Sequence, residues 1–243
     1  MEEYIVYDIE TAPLEWDSLS ESQQEYILRY ARTPEEEEKK KFEMALSPMT
    51  AQVVCIGLQI MTKNKEGEFE VTSRGALSTS LEMEEGEEEK LELEDGSPCL
   101  VSNEKRVLEN FWRFLKTHNS AAMITFNGRN FDAPFIMLRS AIHRIRPVRN
   151  LMQGTKFNYS LHYDLLDELT FFNGSPYGAT KRFNFDFYTR AFGIESPKSA
   201  GVDGSMVGDM YYKGEVREIA EYCMRDINAT WELFEFWQEY LRF

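Results

Sequence analysis

Apolar and polar positions fall into blocks that read as alternating strands and helices. The run "YIVYD", Tyr4 to Asp8, has strand length and ends on a carboxylate. Ser20 to Gln23 has the spacing of a capping box and predicts a helix to about Ala31. Thr33-Pro34 reads as the N-cap and first position of a second helix. There Glu35, Glu36 and Glu37 stand four residues before Lys39, Lys40 and Lys41. "TAQVVCIGLQIMT" predicts a strand, and the alternating "EGEFEVTSRG" predicts its hairpin partner across "KNKEG". Asn103 caps a helix with Val107, Phe111, Phe114 and Leu115 on one face. "AAMITFNG" is a short strand ending in a glycine turn, and "FDAPFIMLRSAIHRI" is a helix with Pro134 near its start. "HYDLLDELTFF" is a strand-to-helix passage, and "NFDFYTRAFGI" is a short helix with Gly193 near its end. From Glu215 one long helix aligns Ile219, Cys223, Ile227, Thr230, Phe234, Trp237 and Leu241. A strand hairpin followed by alternating strands and helices predicts an α/β domain, a mixed sheet with helices on its faces. The reading is a single domain over 1–243, with a helical insertion at about 17–48 and an acidic loop at about 79–99.

Charge narrows the classes of function. The chain carries 27 basic and 42 acidic side chains, a net −15. That excludes a general nucleic-acid coating protein, which needs a basic face to release counterions from phosphates. It leaves open an enzyme that meets phosphates through cations. The excess is concentrated between Glu82 and Asp95, where nine acids stand with one lysine. This composition predicts an exposed loop for 79–99. Cys55, Cys99 and Cys223 have no metal-binding spacing and predict a reducing, cytoplasmic setting. No apolar run has membrane-helix length, and "MEEYIV" lacks the basic region of a secretory leader, so no membrane partner is expected.

Three segments carry carboxylates that a structural role explains poorly when taken together. Asp8 and Glu10 lie two residues apart at the end of the first strand and so share one face, with Cα atoms ~7 Å apart. They repel each other and are costly to desolvate, which a hard divalent cation would relieve. Asp132 follows the strand and turn of "ITFNGRNFD" at the start of a helix. There the helix dipole alone would justify an acid. In "EYCMRD", Tyr222 and Asp226 are four apart and flank the apolar stripe of the long helix. Each pattern alone has an ordinary reading as a solvated loop, a helix cap or a boundary pair.

Taken in order, "DIET", "NGRNFD" and "YCMRD" resemble the three exonuclease motifs of the DnaQ-like 3′-5′ exonucleases. The tyrosine four residues before the last aspartate matches the tyrosine-type DEDD subgroup. The likeness runs closest to bacterial stand-alone proteins related to the exonuclease domain of family B DNA polymerases. It implies a ribonuclease H-like fold with a mixed five-stranded sheet. It also implies two divalent cations, Mg²⁺ or Mn²⁺, held by Asp8, Glu10, Asp132 and Asp226, with Tyr222 as an orienting catalytic residue. The expected reaction is hydrolysis of single-stranded DNA from the 3′ end, releasing nucleoside 5′-monophosphates. RNA or a short oligonucleotide is the alternative substrate on the same site. A non-catalytic nucleic-acid-binding protein on the same fold is the rival class. Thr11, Asn127, Phe131 and Lys198 are the expected substrate contacts, and Phe131 reads equally well as core. Lys181 and Arg182 are further basic residues able to meet phosphate. The expected partner is a single-stranded 3′ end, with a polymerase or repair complex in trans for any proofreading role.

Overall fold

The computed structural model describes residues 2–242. In chain order, strand β1 (Glu3–Pro13) is followed by helices α1 (Glu21–Leu28) and α2 (Pro34–Glu43). Strands β2 (Ala51–Lys63), β3 (Phe69–Thr79), β4 (Glu89–Glu92) and β5 (Pro98–Ser102) come next. Then come α3 (Glu104–Thr117), β6 (Ala122–Thr125), α4 (Asp132–Ile142) and β7 (His162–Asp164). The chain ends with α5 (Leu165–Leu169), α6 (Phe185–Ala191), α7 (Val207–Tyr212) and α8 (Val216–Tyr240). The sheet order is β4-β5-β3-β2-β1-β6-β7.

The central strand β1 pairs antiparallel with β2 and parallel with β6. Its odd residues Ile5, Tyr7 and Ile9 pack with Val107, Phe111 and Leu115 of α3 and Phe135 and Ile136 of α4. Its even residues Tyr4 and Val6 pack on the other face with Ile219, Cys223, Ile227, Phe234 and Trp237 of α8. The period-2 alternation of a strand buried on both faces therefore directs Asp8 and Glu10 toward α8. The predicted stripe of α8 is the buried one.

The predicted caps are present. Gln23 Oε1 accepts from the Ser20 amide at 2.9 Å, and Asn103 Oδ1 accepts from the Arg106 amide at 2.9 Å. The charged helix α2 forms its ion pairs at a spacing of three, Lys41 to Glu38 and Lys40 to Glu43. The insertion is pinned at its base. Leu14 N donates to Thr50 O at 2.9 Å, and Thr11 Oγ1 donates to Ala45 O at 2.8 Å.

Two expectations are corrected together. The sheet has seven strands rather than five, and residues 79–99 are not simply an exposed loop. β4 pairs antiparallel with β5, and β5 runs parallel to β3. Leu93, Cys99 and Val101 are buried beneath the acids. The acids in turn meet bases of α3, with Lys105 on Glu85 and Arg106 on Glu88. Averaged composition hid a short antiparallel pair that buries Cys99 and Val101 beneath a charged surface.

One glycine sets how closely α8 approaches the sheet. Gly57 is opposite Asp8 in the β1–β2 ladder. A Cβ there would stand 2.9 Å from both Cys223 Sγ and Ile227 Cγ1. The substitution Gly57→Ala is therefore expected to cost about 1–3 kcal/mol by overpacking. It should also lift the helix that carries Tyr222 and Asp226. Urea denaturation checks this; an unchanged midpoint would show that α8 does not rest on that glycine.

Candidate active site

The site forms where β1 outruns its parallel neighbour. The β1–β6 ladder pairs Tyr4, Ile5 and Val6 with Ala122, Met123 and Ile124 and extends no further. Beyond it the chain after β6 turns away at Asn127, which adopts a left-handed backbone with φ 62°. The freed Ile9 amide donates instead to Asp132 Oδ1 at 3.0 Å. A carboxylate at the first position of α4 is thereby tied to the backbone between Asp8 and Glu10.

A residue missed from sequence holds that turn. Asp164, at the end of β7, is 1% exposed. Its Oδ1 accepts from the amides of Asn127 at 2.8 Å and Leu166 at 3.1 Å, and its Oδ2 accepts from the amide of Arg129 at 2.8 Å. Burial pushes its carboxyl up to about 6 against these bonds. The only sequence signal was an acid at a strand-to-helix passage, "HYDLL", which is also an ordinary helix cap.

On the other face α8 brings Cys223 against β1. Its thiol donates toward the Asp8 carbonyl at 3.6 Å and lies 3.9 Å from Asp8 Oδ2. One donor atom each from Asp8, Glu10 and Cys223 lie within 4.8 Å of one another. Tyr222 and Asp226 open into a pocket of about 420 Å³ that Lys198, Asp186, Ser196 and Asp203 also line.

The electrostatics are one-sided. Among the described residues no lysine, arginine or histidine forms an ion pair with Asp8, Glu10, Asp132 or Asp226. Burial pushes Asp8 well above the usual carboxylate range, and Asp132, Asp226 and Glu10 push it further. Burial and then Asp226 do the same to Glu10. Asp132 is pushed up to about 7 by burial, against the pull of two backbone amides. Asp226 also reaches about 7 by burial, against the pull of Tyr222, Arg225 and Lys198. Burial, followed by the Asp226, Glu10 and Asp8 charges, drives the Tyr222 phenol well above its ordinary value. It is thus a neutral hydrogen-bond donor at physiological pH. Buried hard oxygen donors without a counter-cation fit a site for divalent cations such as Mg²⁺ or Mn²⁺.

The expected substrate contacts divide. Lys198 lines the pocket. Asn127 stands at the turn with its amide held by Asp164. Phe131 packs on Phe135 with a centroid separation of 5.4 Å and is partly buried against the core on the α3 and α4 side. The Thr11 hydroxyl donates to the Ala45 carbonyl at the base of the insertion.

A family model, described as that of a predicted 3′-5′ exonuclease related to the exonuclease domain of PolB, matches residues 53–241. The chain belongs to this family. Asp132, Tyr222 and Asp226 fall inside the matched stretch, whereas Asp8 and Glu10 precede it. An uncharacterized protein of Methanocaldococcus jannaschii is 30% identical over 140 residues, covering 55% of this chain and 73% of that one. The family B DNA polymerase of Pyrobaculum calidifontis aligns over 98% of this chain and 25% of its own, with TM-score 0.54 and 16% identity. That likeness shows the fold, which is ribonuclease H-like. The chain spans about a quarter of the polymerase's length. Among the described residues no helix is long and apolar enough to cross a membrane.

The raised carboxyls couple stability to pH. In the metal-free protein the folded state holds protons that the unfolded chain has already released. Their contribution is complete below about pH 4 and is lost as pH rises through about 7, where Asp132 and Asp226 ionise. The melting temperature in EDTA is therefore expected to fall between about pH 5 and pH 8. Mn²⁺ at ~100 times its Kd should restore about 5–10 °C at the upper end. Melting curves with a flat pH response and no shift on adding Mn²⁺ would count against this site.

Proposed function

We propose that the protein is a divalent-metal-dependent 3′-5′ exonuclease that hydrolyses single-stranded DNA from its 3′ end to nucleoside 5′-monophosphates. One observation carries this reading. Carboxylates from three separate elements, β1, α4 and α8, lie close enough to raise one another, and among the described residues none of them is in an ion pair with a basic side chain. Membership of the exonuclease family supports the reaction class.

Two cations, Mg²⁺ or Mn²⁺, would be held by Asp8, Glu10, Asp132 and Asp226. When bound they would activate water and stabilise the departing 3′ oxygen. The protein's own groups place the strand. The Tyr222 phenol, kept protonated by burial and then by its acidic neighbours, orients the attacking water or the scissile phosphate by donating a hydrogen bond. Lys198, at the pocket rim, offers a charge to a backbone phosphate. The sugar is read by neither group, so RNA and short oligonucleotides compete with DNA for the same site. A polymerase or repair complex in trans is the partner this reading proposes for any proofreading role.

Matched DNA and RNA oligonucleotides labelled at the 5′ end test the reading directly. With Mn²⁺ the wild type should yield a ladder shortened from the 3′ end, faster on DNA. Loss of a group that merely supports a metal ligand costs 10–100-fold, so Asp8→Ala should cost more than about 100-fold. Equal activity of the Asp8→Ala protein would remove Asp8 from the site, and faster RNA degradation would reassign the substrate.

A further inference from the structure

The segment leading into α6 carries more exposed aromatic surface than its packing requires. The inner face of α6 is already satisfied. Phe185 and Tyr188 pack on Phe126, with centroid separations of 4.7 and 5.3 Å. Phe183 and Phe187 are nonetheless 41% and 57% exposed, and their rings lie together at 4.8 Å and 33°. Lys181 places its ammonium 4.8 Å from the Phe183 centroid. Among the described residues Lys181 and Lys198 form no ion pair, while neighbouring Arg182 is committed to Asp167 and Arg190 to Asp186.

Position gives this pair a purpose. Asn184, Phe185 and Asp186, between the two phenylalanines, line the pocket that holds Tyr222, Asp226 and Lys198. The aromatic pair thus brackets in sequence three residues of the pocket lining, with one free ammonium beside it and another lining the pocket. Stacking on aromatic faces is how proteins hold single strands regardless of sequence, and lysines between such faces meet the phosphates. A strongly acidic chain gains most from stacking, because a ring face does not depend on net charge.

We propose that Phe183 and Phe187, with Lys181, form a stacking platform for the bases of a single strand whose 3′ end enters the Tyr222–Asp226 pocket. The strand's identity rests on the exonuclease reading; the platform itself rests on the exposed pair and its continuity with the pocket.

The test is binding without turnover. Fluorescence anisotropy in Ca²⁺ would follow 5′-labelled oligothymidylates from a dimer to a decamer. Wild-type affinity should rise with length. The double variant Phe183→Ala/Phe187→Ala should bind the decamer about tenfold or more weakly and lose the dependence on length. Phe183→Trp/Phe187→Trp should restore it, which a general loss of structure would not allow, and melting curves of each variant check folding. A double alanine variant that binds the decamer like wild type would overturn the platform, and so would a wild type whose affinity does not grow with length. Failure of the exonuclease reading shows itself separately. A wild type that binds with length dependence but cuts no oligonucleotide in Mn²⁺ keeps the platform and loses the reaction.

Discussion

Four neighbouring carboxylates, three buried and Asp8 partly buried, that among the described residues make no ion pair are the constraint around which this domain is arranged. Elsewhere the protein pairs its buried acids. Glu104 is as buried as Glu10, yet it accepts from Arg139 Nε at 2.8 Å, from His143 Nε2 at 2.6 Å and from the Val53 amide at 2.8 Å. Burial alone would raise its carboxyl, but Arg139 and His143 hold it below its usual value. Asp8, Glu10, Asp132 and Asp226 are pushed the other way. The same fold therefore handles buried acids in two ways. One ties α3 and α4 to β2 through ion pairs. The other leaves a cluster of acids held above their usual range, the feature that the proposed cation site would explain.

The fold sustains this charge by small backbone arrangements rather than by side-chain bulk. The parallel ladder stops at Val6 and Ile124, which frees an amide of β1 for Asp132. Asp164 then spends both its oxygens on the turn that delivers Asp132. Gly57 lets α8 lie close enough for Asp226 and Tyr222 to overhang the same strand end. The acids come from remote parts of the chain, but each sits beside an element of the central sheet. Their separation is set by rigid backbone, which suits a site whose ligands repel one another before any cation arrives.

What could be read in advance follows from periodicity. The strand β1, the stripe of α8 and the caps at Ser20 and Asn103 are local patterns, and the four carboxylates stood out once "DIET", "NGRNFD" and "YCMRD" were considered as an ordered set. Asp164 was hidden because its work is done on amides distant in sequence, and an acid at a helix start needs no further reason. Gly57 was hidden because a glycine inside a strand announces close approach without saying of what. The strands β4 and β5 were hidden because nine acids outweighed Leu93, Cys99 and Val101 in any window average. Thr11 and Phe131 show the converse. Both adjoin the motifs and also have structural partners, Thr11 bonding to the helical insertion and Phe131 lying partly buried against the core.

Net charge and substrate charge have the same sign here, and that shapes the route by which a strand is met. A chain at −15 has little long-range attraction for a polyanion, and beyond about one Debye length salt screens what remains. Capture must then come from short-range terms. On the proposed reading the carboxylate cluster gives one, through cations that the phosphates also favour. The proposed aromatic pair at the start of α6 gives another, insensitive to salt and to base identity. Lys198 is the link between them. Its charge lowers the carboxyls of Asp226, Asp186 and Asp203 without closing into an ion pair with any of them. An ammonium placed among acids but in no ion pair with them remains free to turn to a phosphate.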